Sequence, residues 1–180
     1  MTDAPHAARI EVRLRELSQL FNSMDPSPFN ERDLDADAEE FIVSWARELP
    51  PRGDIELVVH LATPPPPERA AEVEQAVRHF FAERAAIKRL EFRLLMRRGR
   101  LSLAIGLMFL TACMVAGQLV GTSDYGTAGS VVRESLMIGG WVAMWRPLQI
   151  FLYDWWPVRD ECRILERLAR MRVSLVLPKA

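Results

Sequence analysis

The chain contains few of the residues from which metal sites and disulfide frameworks are built. Its 180 residues include only two cysteines and three histidines. Cys113 lies in a long apolar run and Cys162 lies near the C-terminus, which excludes a disulfide framework. The histidines have neither the mutual spacing nor the neighbouring cysteines of a metal site. We therefore expect no bound metal.

Catalytic and nucleotide-binding motifs are also missing. The sequence has no Gly-rich phosphate loop, no serine-centred nucleophile elbow and no suggestively spaced pair of carboxylates. Asp33, Asp35 and Asp37 are spaced like the start of a calcium loop. The sixth and twelfth positions of that loop, however, hold Ala38 and Ser44 instead of glycine and glutamate. The sequence predicts no calcium site, no cofactor and no enzymatic activity.

A secretory signal is a further missing feature. The N-terminal sequence MTDAPHAARIEVR has neither a basic n-region nor an apolar h-region. We expect the first apolar span to direct membrane insertion, so the residues before it should stay in the cytoplasm.

That span is the longest uncharged stretch in the chain. The twenty residues 101–120 carry no charge, and at about 1.5 Å per residue they match the roughly 30 Å hydrocarbon core of a bilayer. The sequence predicts a first transmembrane helix over residues 101–121.

A second apolar run follows a loop of small polar residues. We expect residues 122–132 to form a short extracytoplasmic loop and residues 133–156 to form a second transmembrane helix. Because Arg133, Glu134, Arg146 and Asp154 interrupt this run, at least one charge should lie at membrane depth or extend from it to the headgroups. The aromatic cluster at the end of the run is typical of a membrane interface.

The charges are distributed unevenly. Residues 1–66 hold thirteen acidic and six basic side chains, whereas residues 84–100 hold seven basic and one acidic. Five arginines follow the second span, so both flanks of the spans are basic, which predicts that both termini are cytoplasmic in a bacterial inner membrane. We expect Arg97, Arg98 and Arg100 to contact anionic lipid headgroups, and we expect no nucleic-acid binding.

The segments outside the spans combine strands and helices. Residues 9–15, 55–61 and 171–177 alternate apolar and polar side chains and predict strands, the first two joined as a βαβ unit. The intervening helix, residues 38–49, should bury Phe41, Ile42, Trp45 and Leu49.

The fold class is therefore α+β: a two-helix transmembrane hairpin carries a small cytoplasmic βαβ-containing domain, which a C-terminal helix and strand complete. Its segments are a cytoplasmic α/β part (1–66), a long basic amphipathic helix with an apolar stripe through Val73, Val77, Phe80, Ile87, Leu90 and Leu94 (67–100), the hairpin (101–156) and the C-terminal helix and strand (157–180).

Small residues mark one face of each span. Small side chains permit close helix contact, within one hairpin or between subunits. The predicted contact residues are Gly106, Cys113, Gly117 and Gly121 in the first span and Ser135, Gly139 and Ala143 in the second.

Arg146 and Asp154 share a face of the second span. Ionisable residues within a membrane are candidates for a functional site. The alternative is that Arg146 extends to the phosphates while Asp154 pairs with an arginine of the same protein.

Together these features predict an integral inner-membrane protein with a structural or regulatory role. It would act through homo-oligomerisation or through contact with a membrane-protein partner. The rival hypothesis is a small oligomeric channel or ion-conducting pore, in which the charges of the second span line the pathway.

Overall fold

The computed structural model describes residues 8–50, 53–121 and 126–177. Two compact units divide the chain: Arg89–Arg159 form a helical unit, and the residues up to Lys88 together with those from Asp160 onward form a mixed α/β unit. The elements in chain order are β1 (Ala8–Leu14), α1 (Ala36–Glu48), β2 (Ile55–Leu61), α2 (Pro67–Gly121), α3 (Gly126–Gln149), α4 (Trp155–Leu168) and β3 (Arg172–Val176). Short 3₁₀ helices cover Leu17–Leu20 and Phe29–Glu31, and a π-helical segment, Ile150–Asp154, joins α3 to α4.

The α/β unit is built on a three-stranded parallel sheet in the order β1-β2-β3. Ala8 pairs with Ile55 and Leu14 with Leu61, while Leu57 on the other edge of β2 pairs with Val173. The prediction of a parallel βαβ unit is confirmed, and so is the pairing of the C-terminal strand with the N-terminal ones.

Three helices pack on this sheet and close a single core. The central strand β2 is buried at Ile55, Leu57, Val59 and Leu61, as its alternation predicts. The helices contribute buried side chains from α1 (Ile42, Ala46), from the first five turns of α2 (Val73, Ala76, Val77, Phe80, Phe81, Ala85) and from α4 (Ile164, Leu165, Leu168).

The buried face of α1 differs from the prediction. Ile42 is fully buried, but Phe41 is 40% and Trp45 46% exposed, and Ala46 takes the inner position that Trp45 was expected to fill. The sheet approaches this face closely, so a small side chain packs there and the two aromatic rings lie outside, 6.0 Å apart. The helix begins at residue 36 because the Asp35 carboxylate accepts a hydrogen bond from the Asp37 amide.

The apolar stripe of α2 is likewise buried only in its first part. Val73, Val77 and Phe80 lie in the core, whereas Ile87, Leu90 and Leu94 are 60%, 50% and 44% exposed. Their side chains lie beyond the last α2 residue in that core, Ala85, so the sheet and its helices do not cover them. The periodicity of apolar residues does not show where the core ends along α2.

The second helix begins earlier than expected. Residues 126–132, predicted as part of the loop, are the first two turns of α3, and the first four residues of that predicted loop lie outside the described residues. The Ser130 hydroxyl donates to the Thr127 carbonyl within the first turn. Small polar residues at a helix start bond locally in this way, which makes a helix terminus resemble a loop in sequence.

Candidate helix-packing and membrane-contact site

Helices α2 and α3 pack against each other in antiparallel order within the helical unit. A methyl group added at Gly140 would lie 2.8 Å from Leu110 Cδ1 and 3.3 Å from Cys113 Cβ. One added at Gly117 would lie 3.5 Å from Arg133 Cγ. Residues further along α2 contact residues earlier in α3, as expected for antiparallel helices. The predicted face of small residues on the first span therefore lies against α3 of the same chain.

Gly106 occupies the middle of this contact. Pro147 has no N–H, so it cannot bond to the Ala143 carbonyl four residues earlier. That carbonyl oxygen lies 3.3 Å, and Met144 Sδ 3.1 Å, from the position of a Cβ on Gly106. Glycine lets α2 approach this closely without displacing α3, and a Cα–H···O contact can then satisfy part of the freed carbonyl.

Gly99 and Gly140 belong to the contact although the sequence analysis did not assign them to it. Both are buried, and a Cβ on Gly99 would lie 2.9 Å from Ile150 Cγ2. Gly99 precedes Gly106 by seven residues and Cys113 by fourteen, so a heptad count would have found it. α2 is continuous through Gly99.

The predicted second-span face is split between inside and outside. The Ala143 carbonyl contacts Gly106, but Ser135 is exposed, and a Cβ on Gly139 would meet no atom within 4 Å. The inner glycine of α3 is Gly140. Ser135 and Gly139 therefore form a smooth strip on the outer side of α3.

Charged side chains of α3 lie at the edge of the contact. Arg133 packs its aliphatic stem against Gly117, and its Nη1 would lie 3.9 Å from a Cβ on Gly121. Arg133 and Glu134 also line a cavity of about 680 Å³ beside Gly121.

Arg146 and Asp154 are not paired with each other. Arg146 donates to Gln149 Oε1 at 3.4 Å, and no ion pair joins Arg146 to Asp154 in the described helical unit. The π-helical segment between them widens the turn that sequence spacing treated as regular α-helix. Ile150 is buried at the start of that segment.

The arginines before the apolar part of α2 face outward. Arg97, Arg98 and Arg100 are exposed. Earlier bases in the same basic run are engaged in the α/β unit: Arg84 contacts Glu39 at 2.9 Å and Lys88 contacts Glu161 at 3.0 Å. The three arginines nearest the apolar segment are thus available to solvent or lipid phosphates.

The helical unit exposes apolar surface on all sides. On α2, Leu101, Met108 and Leu119 are 63–68% exposed, and on α3, Trp141 and Trp145 are 65% and 74% exposed. One helix of the described chain, α2, is long and apolar enough to cross a membrane: its best 18-residue window has a mean hydropathy of 2.1 and is 17% buried. The 24-residue α3 carries Arg133, Glu134 and Arg146, which lower its mean hydropathy.

Other kinds of site find little support in the described residues. No group of three or more histidine, cysteine or acidic side chains there is arranged to hold a metal ion, and neither Cys113 nor Cys162 forms a disulfide there. No family model, curated protein or solved structure matches the chain.

Proposed function

We propose that this chain is an inner-membrane protein of two spans, α2 and α3, with both termini in the cytoplasm. Its role is structural or regulatory: it associates in the bilayer with further copies of itself or with a partner membrane protein. Anionic headgroups bind the exposed arginines before the first span.

The observation that carries this proposal is the pairing of β3 with β2. Residues before α2 and residues after α4 form one hydrogen-bonded sheet, from Glu56↔Arg172 to His60↔Val176. If α2 crosses a bilayer, the chain must cross back before residue 172 for this sheet to form. α3 is the long helix available for the return.

The exposed apolar side chains support the same assignment. Soluble monomers rarely expose contiguous apolar patches larger than a few hundred Å². Leu101, Ile105 and Met108 on α2, and Ile138, Trp141 and Val142 on α3, are each more than half exposed. Lipid tails or neighbouring copies would cover them.

The outer strip of α3 supplies a surface for association. Ser135 and Gly139 are four residues apart, and a Cβ on Gly139 would meet no described atom within 4 Å. Small residues at this spacing let two membrane helices approach closely. A second copy on this strip would also shield Arg146 and Gln149 from lipid. Such shielding is favourable, because an arginine at the bilayer centre costs about 2.5–3.5 kcal/mol on insertion scales.

The test is the mass of the detergent-solubilised protein by light scattering. We expect an oligomer for the parent and a smaller mass for Gly139→Leu. Met108→Leu, a volume-conserving change at a residue that is 68% exposed on α2, is the control and should leave the mass unchanged. A monomeric parent, or an unaltered oligomer for Gly139→Leu, would contradict association through this strip.

The second candidate function is an oligomeric pore. It is favoured by the exposed Arg146–Gln149 pair, which could line a pathway between copies. Ion flux in proteoliposomes separates the two functions. Flux that Arg146→Leu changes supports the pore, and absence of flux from a verified oligomer supports the scaffold.

A further inference from the structure

We propose that the α/β unit binds a small organic anion in a pocket at the carboxyl ends of β1 and β2. The ligand would carry one carboxylate or phosphate group on a short apolar body. This site is separate from the helix contact, and it does not depend on the proposed membrane function.

The pocket lies at the edge where parallel strands end. Leu14 pairs with Leu61, and two further backbone bonds, Ala62 to Leu14 and Thr63 to Arg15, continue the ladder past the strands. The chain then leaves the sheet on both sides of a cavity of about 180 Å³. Ligands of open parallel α/β sheets bind outside the carboxyl ends of the strands.

Arg32, in the pocket wall, has a buried donor atom with no hydrogen-bond partner in the described residues. Arg32 lines the cavity, and its Nε is inaccessible to solvent and has no hydrogen-bond partner in the described residues. Its terminal Nη2 makes one long bond, 3.5 Å, to the Ser27 carbonyl. Because Nε is closed to solvent, an acceptor in the cavity would bind the terminal nitrogens of Arg32, whose one bond in the described residues is the long bond to Ser27.

A second arginine completes the cationic side. Arg69, in the first turn of α2, also lines the cavity, and its guanidinium lies 5.9 Å from the ring centre of Phe29. Planar guanidinium groups bind carboxylate and phosphate oxygens with two parallel bonds. The helix start itself adds few donors, because residues 66 and 67 are prolines.

The rest of the wall is mostly apolar. Leu17 and Phe21 are buried, and the Phe21 and Phe29 rings lie 4.8 Å apart. Glu16 is the acidic residue in the wall, and the Ser18 hydroxyl and the first turn that follows β1 already bond to its carboxylate. The side chains therefore offer an anion two guanidinium groups, of which Arg32 also interacts with the Asp25 carboxylate, and offer its body an aromatic surface.

The volume limits the size of the ligand. About 180 Å³ equals roughly six water molecules at liquid density, at about 30 Å³ each. A ring or short chain with one acid group fits within this volume.

Loop geometry holds Arg32 in place. Asp25 accepts backbone bonds from Ser27 at 2.9 Å and from Asp33 at 2.8 Å, on either side of Arg32. These bonds keep the pKa of Asp25 below its usual range, so its carboxylate stays charged at neutral pH.

The experiment is calorimetric titration of the full-length protein in lipid nanodiscs with phenyl phosphate and benzoate, alongside inorganic phosphate. We expect saturable binding of at least one aromatic anion and weaker binding of inorganic phosphate. Arg69→Ala, at an exposed position that should not affect folding, should weaken binding about tenfold or more, since a charge-assisted hydrogen bond is lost. Arg32→Lys keeps the charge but removes Nε, and should weaken binding as well.

Arg78→Ala is the matched control, because it removes one positive charge from the same helix outside the pocket. Equal affinity in the parent, Arg69→Ala and Arg78→Ala would overturn the proposal, and so would the absence of saturable binding of both aromatic anions. Tighter binding of inorganic phosphate than of either aromatic anion would contradict the apolar part of the site.

Discussion

Two adjacent glycines of α3 lie in opposite environments. A Cβ on Gly140 would meet Leu110 and Cys113 of α2, whereas a Cβ on Gly139 would meet no atom of another part of the described chain within 4 Å. A leucine at position 140 must displace α2, and overpacking of this kind costs about 1–3 kcal/mol. We expect Gly140→Leu to lower the unfolding temperature of the helical unit in detergent, as measured by circular dichroism.

Gly139→Leu provides the internal control for that experiment. It adds the same side chain one residue away, into open space, and should leave the unfolding temperature of the monomeric form unchanged. Equal destabilisation by both variants, each compared with the parent as a monomer, would mean that α2 and α3 do not pack as described.

Helical spacing limits how much of this contact the sequence can predict. The spacing of Gly106, Cys113 and Gly117 predicts one shared face of α2, since helical geometry places residues three, four and seven apart together. It could not distinguish Gly139 from Gly140, because which of two neighbouring glycines faces inward depends on the rotation of α3 about its axis. That rotation is set by packing.

A hydrogen-bonded carboxylate joins the three strands. Glu56 on β2 accepts from Ser174 Oγ on β3 at 2.8 Å and from Arg9 Nε on β1 at 3.1 Å. The Ser174 bond, with a smaller contribution from Arg9, keeps the pKa of Glu56 below its ordinary value. A lowered folded-state pKa contributes stability above the unfolded pKa, and this contribution is lost as the pH falls through the folded one.

Ser174→Ala should therefore destabilise the α/β unit most at neutral pH. The difference from the parent should begin to shrink near the ordinary glutamate pKa of about 4.3 and should vanish below the lowered folded-state pKa, where Glu56 is protonated in both proteins. Unfolding midpoints measured between pH 7 and pH 2 test this. Ser44→Ala, which removes a hydroxyl bonded to a backbone carbonyl, should show no such pH dependence. A Ser174→Ala effect that stays constant with pH would contradict the assigned role of Glu56.

At the scale of elements, β3 protects one edge of the central strand. Its removal would leave a two-stranded sheet, which is marginal in water, and would expose the backbone of β2. Deleting residues 171–180 should thus increase the protease sensitivity of residues 8–61. Deleting only residues 178–180, beyond β3, is the control and should not. Unchanged protease resistance after the longer deletion would contradict the pairing.

The strands were easier to predict than the limits of the helices. Alternation of apolar and polar residues marks β2 because one of its faces is buried along its whole length. No change in the sequence pattern shows where the core ends along α2, because the exposed residues Ile87 and Leu90 continue the same helical period as the buried ones. The pocket beside Arg32 was also missed, because it combines residues 16–18, 29–32 and 63–69 that only the sheet brings together.

At the scale of the whole molecule, the pairing of the strands limits the number of times that the chain can cross a membrane between them. The strands on either side of the helices belong to one sheet. A single crossing would place β3 on the opposite side of the membrane from β1 and β2, whereas two crossings keep them together. The proposed two-span hairpin therefore depends on α2 crossing a membrane and on this sheet forming on one side of it.

Fusion of a reporter enzyme that is active only in the periplasm tests this claim most directly. Fusions would be placed after residue 125, between α2 and α3, and after residue 180. The two-span hairpin predicts activity at the first position and none at the second. Activity at residue 180, or its absence at residue 125, would contradict the hairpin.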